Sequence, residues 1–88
     1  MARSPKENQL VKQITTVADL AEAVRTSRVA SGTDQITAAG LSGVGVRFFG
    51  DLERGKSTVR LGLVLRVLSR LGLELWVVPR GQRPPGRQ

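Results

Sequence analysis

The densest cluster of chemically capable side chains lies in the segment GDLERGKS, at positions 50 to 57. Gly50 and the run Gly55-Lys56-Ser57 match the pattern GxxxxGK(S/T), in which a glycine-rich loop wraps nucleotide phosphates. The segment also follows the apolar run VRFF and precedes a predicted helix, as that loop requires. Taken alone, this spacing predicts phosphate binding.

Three features of the sequence oppose nucleotide chemistry at this segment. Asp51 and Glu53 place carboxylates where phosphates would have to lie. No later apolar strand ends in an aspartate that would hold magnesium, and 88 residues are too few for the parallel sheet of such proteins. Nucleotide binding is therefore the weaker hypothesis.

The composition excludes most enzyme classes. The chain has no Cys and no His, which removes thiol nucleophiles, imidazole bases, disulfides and the usual zinc or haem ligands. Seven Asp and Glu residues are present, but none is evidently paired with a second catalytic group. We predict that the protein is not an enzyme and needs no cofactor and no metal.

The charge distribution favours a nucleic-acid partner. Fourteen Lys and Arg residues stand against seven Asp and Glu residues, giving a net charge of +7. Six of the basic residues lie in the polar terminal segments 1–13 and 79–88, which are predicted to be disordered arms. Basic arms alone suit a nonspecific polyanion binder or a membrane-surface binder about equally well. Sequence-specific DNA recognition therefore requires a helix or strand of the folded part that contacts base edges.

The hydropathy pattern predicts one small soluble domain. No run reaches the roughly 18 apolar residues of a membrane span, and the amino end lacks the apolar segment of a signal peptide. We expect a cytoplasmic, nucleoid-associated protein with no membrane partner. A chain this short buries a modest core, so a second copy is expected to add to it.

Four helices are predicted to position the residues around the GDLERGKS segment. Helix starts are indicated by Thr16, with Asp19 completing a capping box, and by Asp34 and Thr58. Helix ends are indicated by Gly32, by Gly40 and Gly43, by Gly55 and by Gly72. The predicted helices run from about Val17 to Ala30, from Asp34 to a break at Gly40, from Val46 to Leu52, and from Thr58 to about Leu71.

The fourth helix and the segment after it carry more apolar surface than one small core needs. The predicted core stripe of this helix is Leu61, Val64, Leu65, Leu68 and Leu71, and the apolar surface is widened by Leu63 and Val67. The residues from Leu73 to Val78 then predict a strand, which needs a partner for its hydrogen bonds. The simplest partner is the same strand of a second copy, with predicted dimer contacts at Leu73, Leu75, Trp76 and Val77.

Two short helices joined by a glycine-containing turn, with basic residues around the second, form the helix-turn-helix pattern. The segment from residue 17 to 72 contains a characteristic set of residues: Val24, Arg25, Arg28, Gly32, Gln35, Ala38 and Ala39, followed by Gly43-Val44 and then LERGK at 52–56. This pattern resembles the Cro/cI repressor type, or XRE family. The continuation VRLGLVLRVL and LGLEL looks further like the HipB-type antitoxins. That resemblance implies a mainly α, lambda-repressor-like domain of four to five helices that represses its own operon and restrains a HipA-like kinase toxin.

The resemblance also implies roles for individual residues. Base contacts are expected from Gln35, Val46, Arg47 and Asp51, and DNA backbone contacts from Asp34, Gly45, Arg54 and Lys56. An ion pair between Arg28 and Glu53 is expected to tie the first helix to the end of the third. Arg47 is expected to matter most, because a guanidinium donates bidentately to guanine O6 and N7. For Asp51, acceptance from cytosine and repulsion of phosphates both remain open.

The sequence therefore predicts a homodimeric repressor that places two recognition helices on a pseudo-palindromic double-stranded DNA operator. Its predicted parts are an arm at 1–13, the DNA-binding domain at 14–72, a dimerisation strand at 73–78 and a basic tail at 79–88. Two functions remain open: an antitoxin that also binds a kinase-like toxin, and a stand-alone XRE-type repressor without one. A nonspecific binder driven by the arms is the third possibility.

Overall fold

The structure, a computed structural model, describes residues 11–83, and these contain four helices and no β-strand. The helices are α1, Val17–Ala30; α2, Gln35–Ser42; α3, Val46–Glu53; and α4, Leu61–Arg70. The predicted mainly helical class is confirmed. None of these helices has the length and apolar character required to cross a bilayer.

The start of α1 is the predicted capping box. Thr16 Oγ1 accepts from the Asp19 backbone N–H at 3.1 Å, and Asp19 Oδ2 accepts from the Thr16 N–H at 3.1 Å. These bonds use backbone donors that the first turn of a helix leaves free. The hydrogen bonds from the backbone of Thr15 and Thr16 also hold the pKa of the Asp19 carboxyl below its ordinary value.

The second helix begins after Asp34, as predicted, and ends at Gly43. Asp34 Oδ1 accepts from the Thr37 N–H at 2.7 Å, which also lowers the pKa of the Asp34 carboxyl. Gly43 has a left-handed φ of 71°, which glycine adopts without strain. The prediction that Gly40 breaks α2 is wrong. Capping by Asp34 and the complete burial of Ala39 outweigh the roughly 1 kcal/mol that glycine costs in a helix.

Gly40→Ala is expected to raise the free energy of unfolding by about 1 kcal/mol, because alanine loses less backbone entropy in a helix. A Cβ at Gly40 meets no heavy atom within 4 Å, so no clash opposes the gain. Urea unfolding followed by circular dichroism measures the change. Gly43→Ala is the matched control and is expected to destabilise, because its left-handed φ strains any side chain. A Gly40→Ala protein no more stable than the wild type would contradict this reasoning.

The starts and ends of the last two helices differ from prediction by small amounts. α3 extends one residue beyond Leu52 to Glu53 before the left-handed Gly55 ends the turn. The prediction that Thr58 caps α4 is wrong, because the N-cap is Arg60 and no side chain caps the helix. Val59 packs against the core, which keeps the chain extended until α4 begins at Leu61.

The hydrophobic core packs against the inner side of α3. Its largest fully buried side chains are Phe49, Leu52, Val24, Val64 and Val67. They come from α1, α3 and α4, and α2 adds two buried alanines. Because α3 packs against both α1 and α2, and α2 also packs against α4, the position of α3 depends on all the other helices.

The face that α4 buries differs from the predicted stripe. Val67, placed outside the stripe, is completely buried, whereas Leu61 and Leu65 remain 61% and 44% exposed. Apolar side chains cover more than half of the circumference of this helix, so the sequence pattern leaves its exact rotation open. Packing against α2 sets the rotation, and it selects Val64, Val67 and Leu68. Two predicted core leucines are therefore left on the surface.

The segment predicted to be a dimerisation strand, residues 73–78, is not a strand in the single chain. Leu73 packs back onto the core and its N–H donates to the Leu68 carbonyl at 2.8 Å. Leu75 and Trp76 are about half exposed, and Val77 is 93% exposed. Pairing of this segment with a second copy stays a prediction. The predicted arms lie largely outside the described residues, and their described parts, 11–13 and 79–83, are exposed.

Candidate nucleic-acid interface

A turn of three residues, Gly43 to Gly45, joins α2 to α3. Within it, the Val44 N–H donates to the Ala39 carbonyl at 3.0 Å and the Val44 side chain packs against the core. Arg66 of α4 donates from Nη1 to the Gly43 carbonyl at 3.0 Å. The turn is therefore held by the core and by α4. Sequence analysis missed Arg66, which lies 23 residues from Gly43 and has no local signal.

The third helix has a buried side and an exposed side. Phe49 and Leu52 point into the core, whereas Val46 and Arg47 are exposed. Asp51 follows Arg47 by one helical turn and is therefore on the same side. Within residues 11–83, no carboxylate pairs with the Arg47 guanidinium. The outer side of α3 thus presents an exposed cation beside an exposed valine.

Glu53, the last residue of α3, is buried, and side chains from α1 and α2 bind it. Arg28 donates from Nε to Oε2 at 2.6 Å and from Nη2 to Oε1 at 3.1 Å. Gln35 donates from Nε2 to Oε1 at 2.8 Å. Arg25 donates to the Glu53 backbone carbonyl at 2.8 Å, a contact that sequence analysis missed. The structure therefore brings Arg28 and Glu53 together and adds Gln35 and Arg25 to them.

The charges of this cluster stabilise each other. Burial raises the pKa of the Glu53 carboxyl, but the hydrogen bonds from Arg28 and Gln35 and the Arg28 charge outweigh burial and place that pKa below its ordinary value. The hydrogen bond to Glu53 likewise raises the pKa of the Arg28 guanidinium. Arg28 also donates to the Thr33 carbonyl at 2.8 Å. One ion pair therefore fixes the end of α3 and the loop that leads into α2.

Two residues predicted to contact DNA lie at the start of α2. Asp34 uses its carboxylate to cap the helix, and Gln35 is half-buried with one amide hydrogen committed to Glu53. The Gln35 carbonyl oxygen and second amide hydrogen are not used by that bond. The link to Glu53 escaped prediction because the two residues are 18 positions apart.

An ion-pair cluster follows the exposed side of α3 to its end. Arg54 Nη2 donates to Asp51 Oδ1, and Lys56 Nζ lies 3.6 Å from Asp51 Oδ2. The Arg54 and Lys56 side chains are 69% and 56% exposed, and that of Asp51 is 19% exposed. Two predicted phosphate contacts thus share one carboxylate. The i, i+3 spacing of Asp51 and Arg54 was a signal from which this pair could have been predicted.

The GxxxxGK(S/T) segment does not have the geometry of a phosphate-binding loop. Its first half, from Gly50 to Glu53, is helical, so its backbone amides are used within α3. Glu53 is paired with Arg28. The Lys56 ammonium, which would have to bind a phosphate in such a loop, is paired with Asp51. The match to the nucleotide-binding pattern is therefore coincidental.

Two short helices with a tight turn between them, and two further helices behind, define a helix-turn-helix domain. The chain is 42% identical over 74 residues to y4mF, an uncharacterized HTH-type transcriptional regulator of Sinorhizobium fredii, and the match covers 84% of this chain and 97% of that protein. The chain belongs to the HTH-type transcriptional regulators. The predicted resemblance to the Cro/cI repressor type is confirmed. No protein-family model matches the chain.

The same fold occurs in a solved structure, the HipB-O4 20mer complex. The two chains superpose with a TM-score of 0.73 at 20% sequence identity, over 80% of this chain and 99% of that chain. At this identity the likeness shows the fold. The predicted helix-turn-helix architecture is thereby confirmed.

Proposed function

We propose that this chain is a sequence-specific DNA-binding repressor in which α3 reads base edges in the major groove. The observation that carries the proposal is Arg47, which is exposed on the outer side of a helix whose inner side is anchored by Phe49 and Leu52. A guanidinium held outward by a rigid helix is preorganised to donate to guanine O6 and N7. The neighbouring Val46, which is 46% exposed, suits contact with a thymine methyl group.

Phosphate contacts on both sides of α3 complete this mode of binding. Gly45, at the start of α3, provides no side-chain cap, so the first backbone amides of the helix have no side-chain acceptor. Arg54 and Lys56 lie at the other end of the helix with their cations exposed. Asp34 and Gln35 add contacts from the start of α2. Such contacts orient the helix in the groove, and the base contacts supply specificity.

The repressor acts as a homodimer on a pseudo-palindromic operator in this proposal, with its two α3 helices roughly 34 Å apart. Support comes from apolar surface that a single chain leaves uncovered. Leu61 and Leu65 of α4 are exposed, as are Trp76 and Val77. A cleft of about 320 Å³ lies between α4 and the chain from Gly72 to Leu75. Burying this surface in a second copy removes it from water.

The finer proposal is that the repressor is an antitoxin that controls its own operon and binds a HipA-like kinase toxin. It is supported by the likeness of the fold to HipB. The alternative is a stand-alone repressor of the same family. Coexpression with the product of the neighbouring reading frame distinguishes the two. Copurification with a kinase-like protein supports the antitoxin, and a neighbouring frame that encodes no such protein supports the stand-alone repressor.

Arg47→Ala is expected to reduce the preference for DNA from the protein's own upstream region by about 10- to 100-fold, because one bidentate base contact is lost. Fluorescence anisotropy with the upstream duplex and a scrambled duplex at the same salt measures this preference. Arg70→Ala, which removes an equal charge from the last turn of α4, is the control and should leave the preference unchanged. If the wild type binds both duplexes equally and Arg47→Ala changes nothing, α3 is not the reading helix.

A further inference from the structure

Asp51 forms ion pairs with both of the cations at the end of α3 that are proposed to bind DNA phosphates. Its two carboxylate oxygens are divided between them, Oδ1 with Arg54 and Oδ2 with Lys56. The Asp51 side chain is the least exposed of the three, at 19%. Phosphate oxygens accept hydrogen bonds from the same N–H donors as carboxylate oxygens do. DNA and Asp51 therefore compete for Arg54 and Lys56.

The backbone of α3 favours this pairing. Gly50 has no side chain, and Arg54 Nη1 lies 3.2 Å from the position that a Cβ would take there. The guanidinium can therefore fold back along the helix to reach Asp51. The Asp51 carbonyl accepts the Arg54 N–H at 3.2 Å and the Lys56 N–H at 3.0 Å, which turns the chain so that both basic residues meet the carboxylate.

We propose that Asp51 is an autoinhibitory counter-ion, which weakens DNA binding by holding Arg54 and Lys56 away from the phosphate backbone. This inference rests on the proposed function, because it needs DNA as the ligand of α3. A phosphate that uses the donors now paired with Asp51 must displace the carboxylate, and at the remaining donors the negative charge of Asp51 weakens the attraction, so part of the favourable energy of the contact is lost. Phosphate contacts supply essentially all of nonspecific affinity, so the effect should be clearest on DNA without an operator.

Asp51→Asn keeps the size and shape of the side chain and removes its charge. We expect this variant to bind a scrambled duplex about tenfold more tightly at 0.1 M salt, close to the value of one additional phosphate contact. The gain should shrink as salt is raised. Fluorescence anisotropy over a salt series measures both. Asp51→Ser is a second variant with the same expectation, and thermal melts confirm that both variants fold.

Two matched controls separate the proposed competition from a general effect of charge. Glu22→Gln also removes one negative charge and one ion pair, that with Lys12, but on the exposed side of α1. It should tighten binding about twofold or less. In an Arg54→Gln, Lys56→Gln background, Asp51→Asn should lose its gain of about tenfold and keep at most the roughly twofold effect of Glu22→Gln, because the cations that it frees are gone.

Equal gains from Asp51→Asn and Glu22→Gln would overturn the proposal, since net charge alone would then explain them. A gain that persists at full size without Arg54 and Lys56 would overturn it as well, as would weaker binding by Asp51→Asn. These readouts use the scrambled duplex, so they are independent of any preference for the upstream duplex. Failure of the proposed function shows instead in the wild type and Arg47→Ala, as loss of discrimination between the two duplexes.

Discussion

Phe49→Ala is expected to lower the free energy of unfolding by about 4 kcal/mol, the largest loss for any single substitution that we predict. Phe49 is the largest of the completely buried side chains, and its ring fills the space between α3 and the other helices. Alanine removes most of that apolar contact and leaves a cavity. Because small domains are stable by about 5 to 15 kcal/mol, a loss of this size removes about a quarter or more of the total stability and should move the unfolding midpoint to a clearly lower urea concentration. Urea unfolding followed by circular dichroism measures the loss.

Phe48→Ala is the matched control for this substitution. Phe48 precedes Phe49 on the same helix but is only partly buried against the core. It should therefore cost less than half as much, because less apolar surface is lost from the interior. Equal losses at positions 48 and 49 would show that the inner side of α3 has been assigned wrongly, together with the outward direction of Arg47.

Glu53→Gln is expected to lower the free energy of unfolding by about 3 kcal/mol at pH 7. The substitution keeps the size of the side chain but leaves the Arg28 guanidinium, itself 15% exposed, without its counter-charge. It also weakens the bond that places Gln35 at the start of α2. Glu22→Gln is the control, because the Glu22 side chain is 57% exposed and its pair with Lys12 should contribute little. Similar losses for the two variants would contradict a structural role for the buried pair.

The pH dependence of the Glu53→Gln effect follows from the direction of the Glu53 pKa shift. The pKa of Glu53 is lower in the folded protein than its ordinary value of 4.5, so the unfolded chain takes up a proton first as the pH falls. The stabilisation is therefore complete well above pH 4.5, begins to fall near that value and is lost as the pH falls through the lower pKa of the folded state. We expect the stability difference between wild type and Glu53→Gln to shrink below about pH 4.5. The titration of Asp19 and Asp34 contributes equally to the stability of both proteins, so it cancels in the difference. A difference that is constant from pH 7 to pH 3 would contradict this assignment.

Local interactions made the helix positions predictable. The capping box at Thr16, the cap at Asp34 and the left-handed glycines after each helix act within a few residues of the backbone they satisfy. Such signals can be read directly from the printed sequence. The errors at Gly40 and Thr58 have the opposite origin. In both places burial of neighbouring residues, Ala39 and Val59, outweighed the local preference.

The contacts of the candidate site likewise include some that the sequence predicted and some that only the structure showed. The resemblance to Cro/cI repressors implied that Val46, Arg47 and Asp51 act together, and the spacing of Arg47 and Asp51, four residues apart, agrees with a shared side of the helix. The resemblance to Cro/cI repressors supplied the pairing of Arg28 with Glu53. The contacts of Gln35 with Glu53 and of Arg66 with the turn join residues 18 and 23 positions apart, and no local pattern predicts them.

The sequence by itself determined the helical class, the positions of the helix-turn-helix elements and the basic character of the protein, because capping, glycine placement and charge are local properties. Only the tertiary structure decided which side of α4 is buried and that Arg25 and Gln35 join Arg28 at Glu53. The apolar side of α4 is wider than the core needs, so its rotation depends on which of these residues fit against α2. The partners of Glu53 depend on where the last turns of α1 and the start of α2 lie in space. Packing between distant parts of the chain sets those positions, and for that reason the contacts of Arg25 and Gln35 with Glu53 could be seen only in the folded chain.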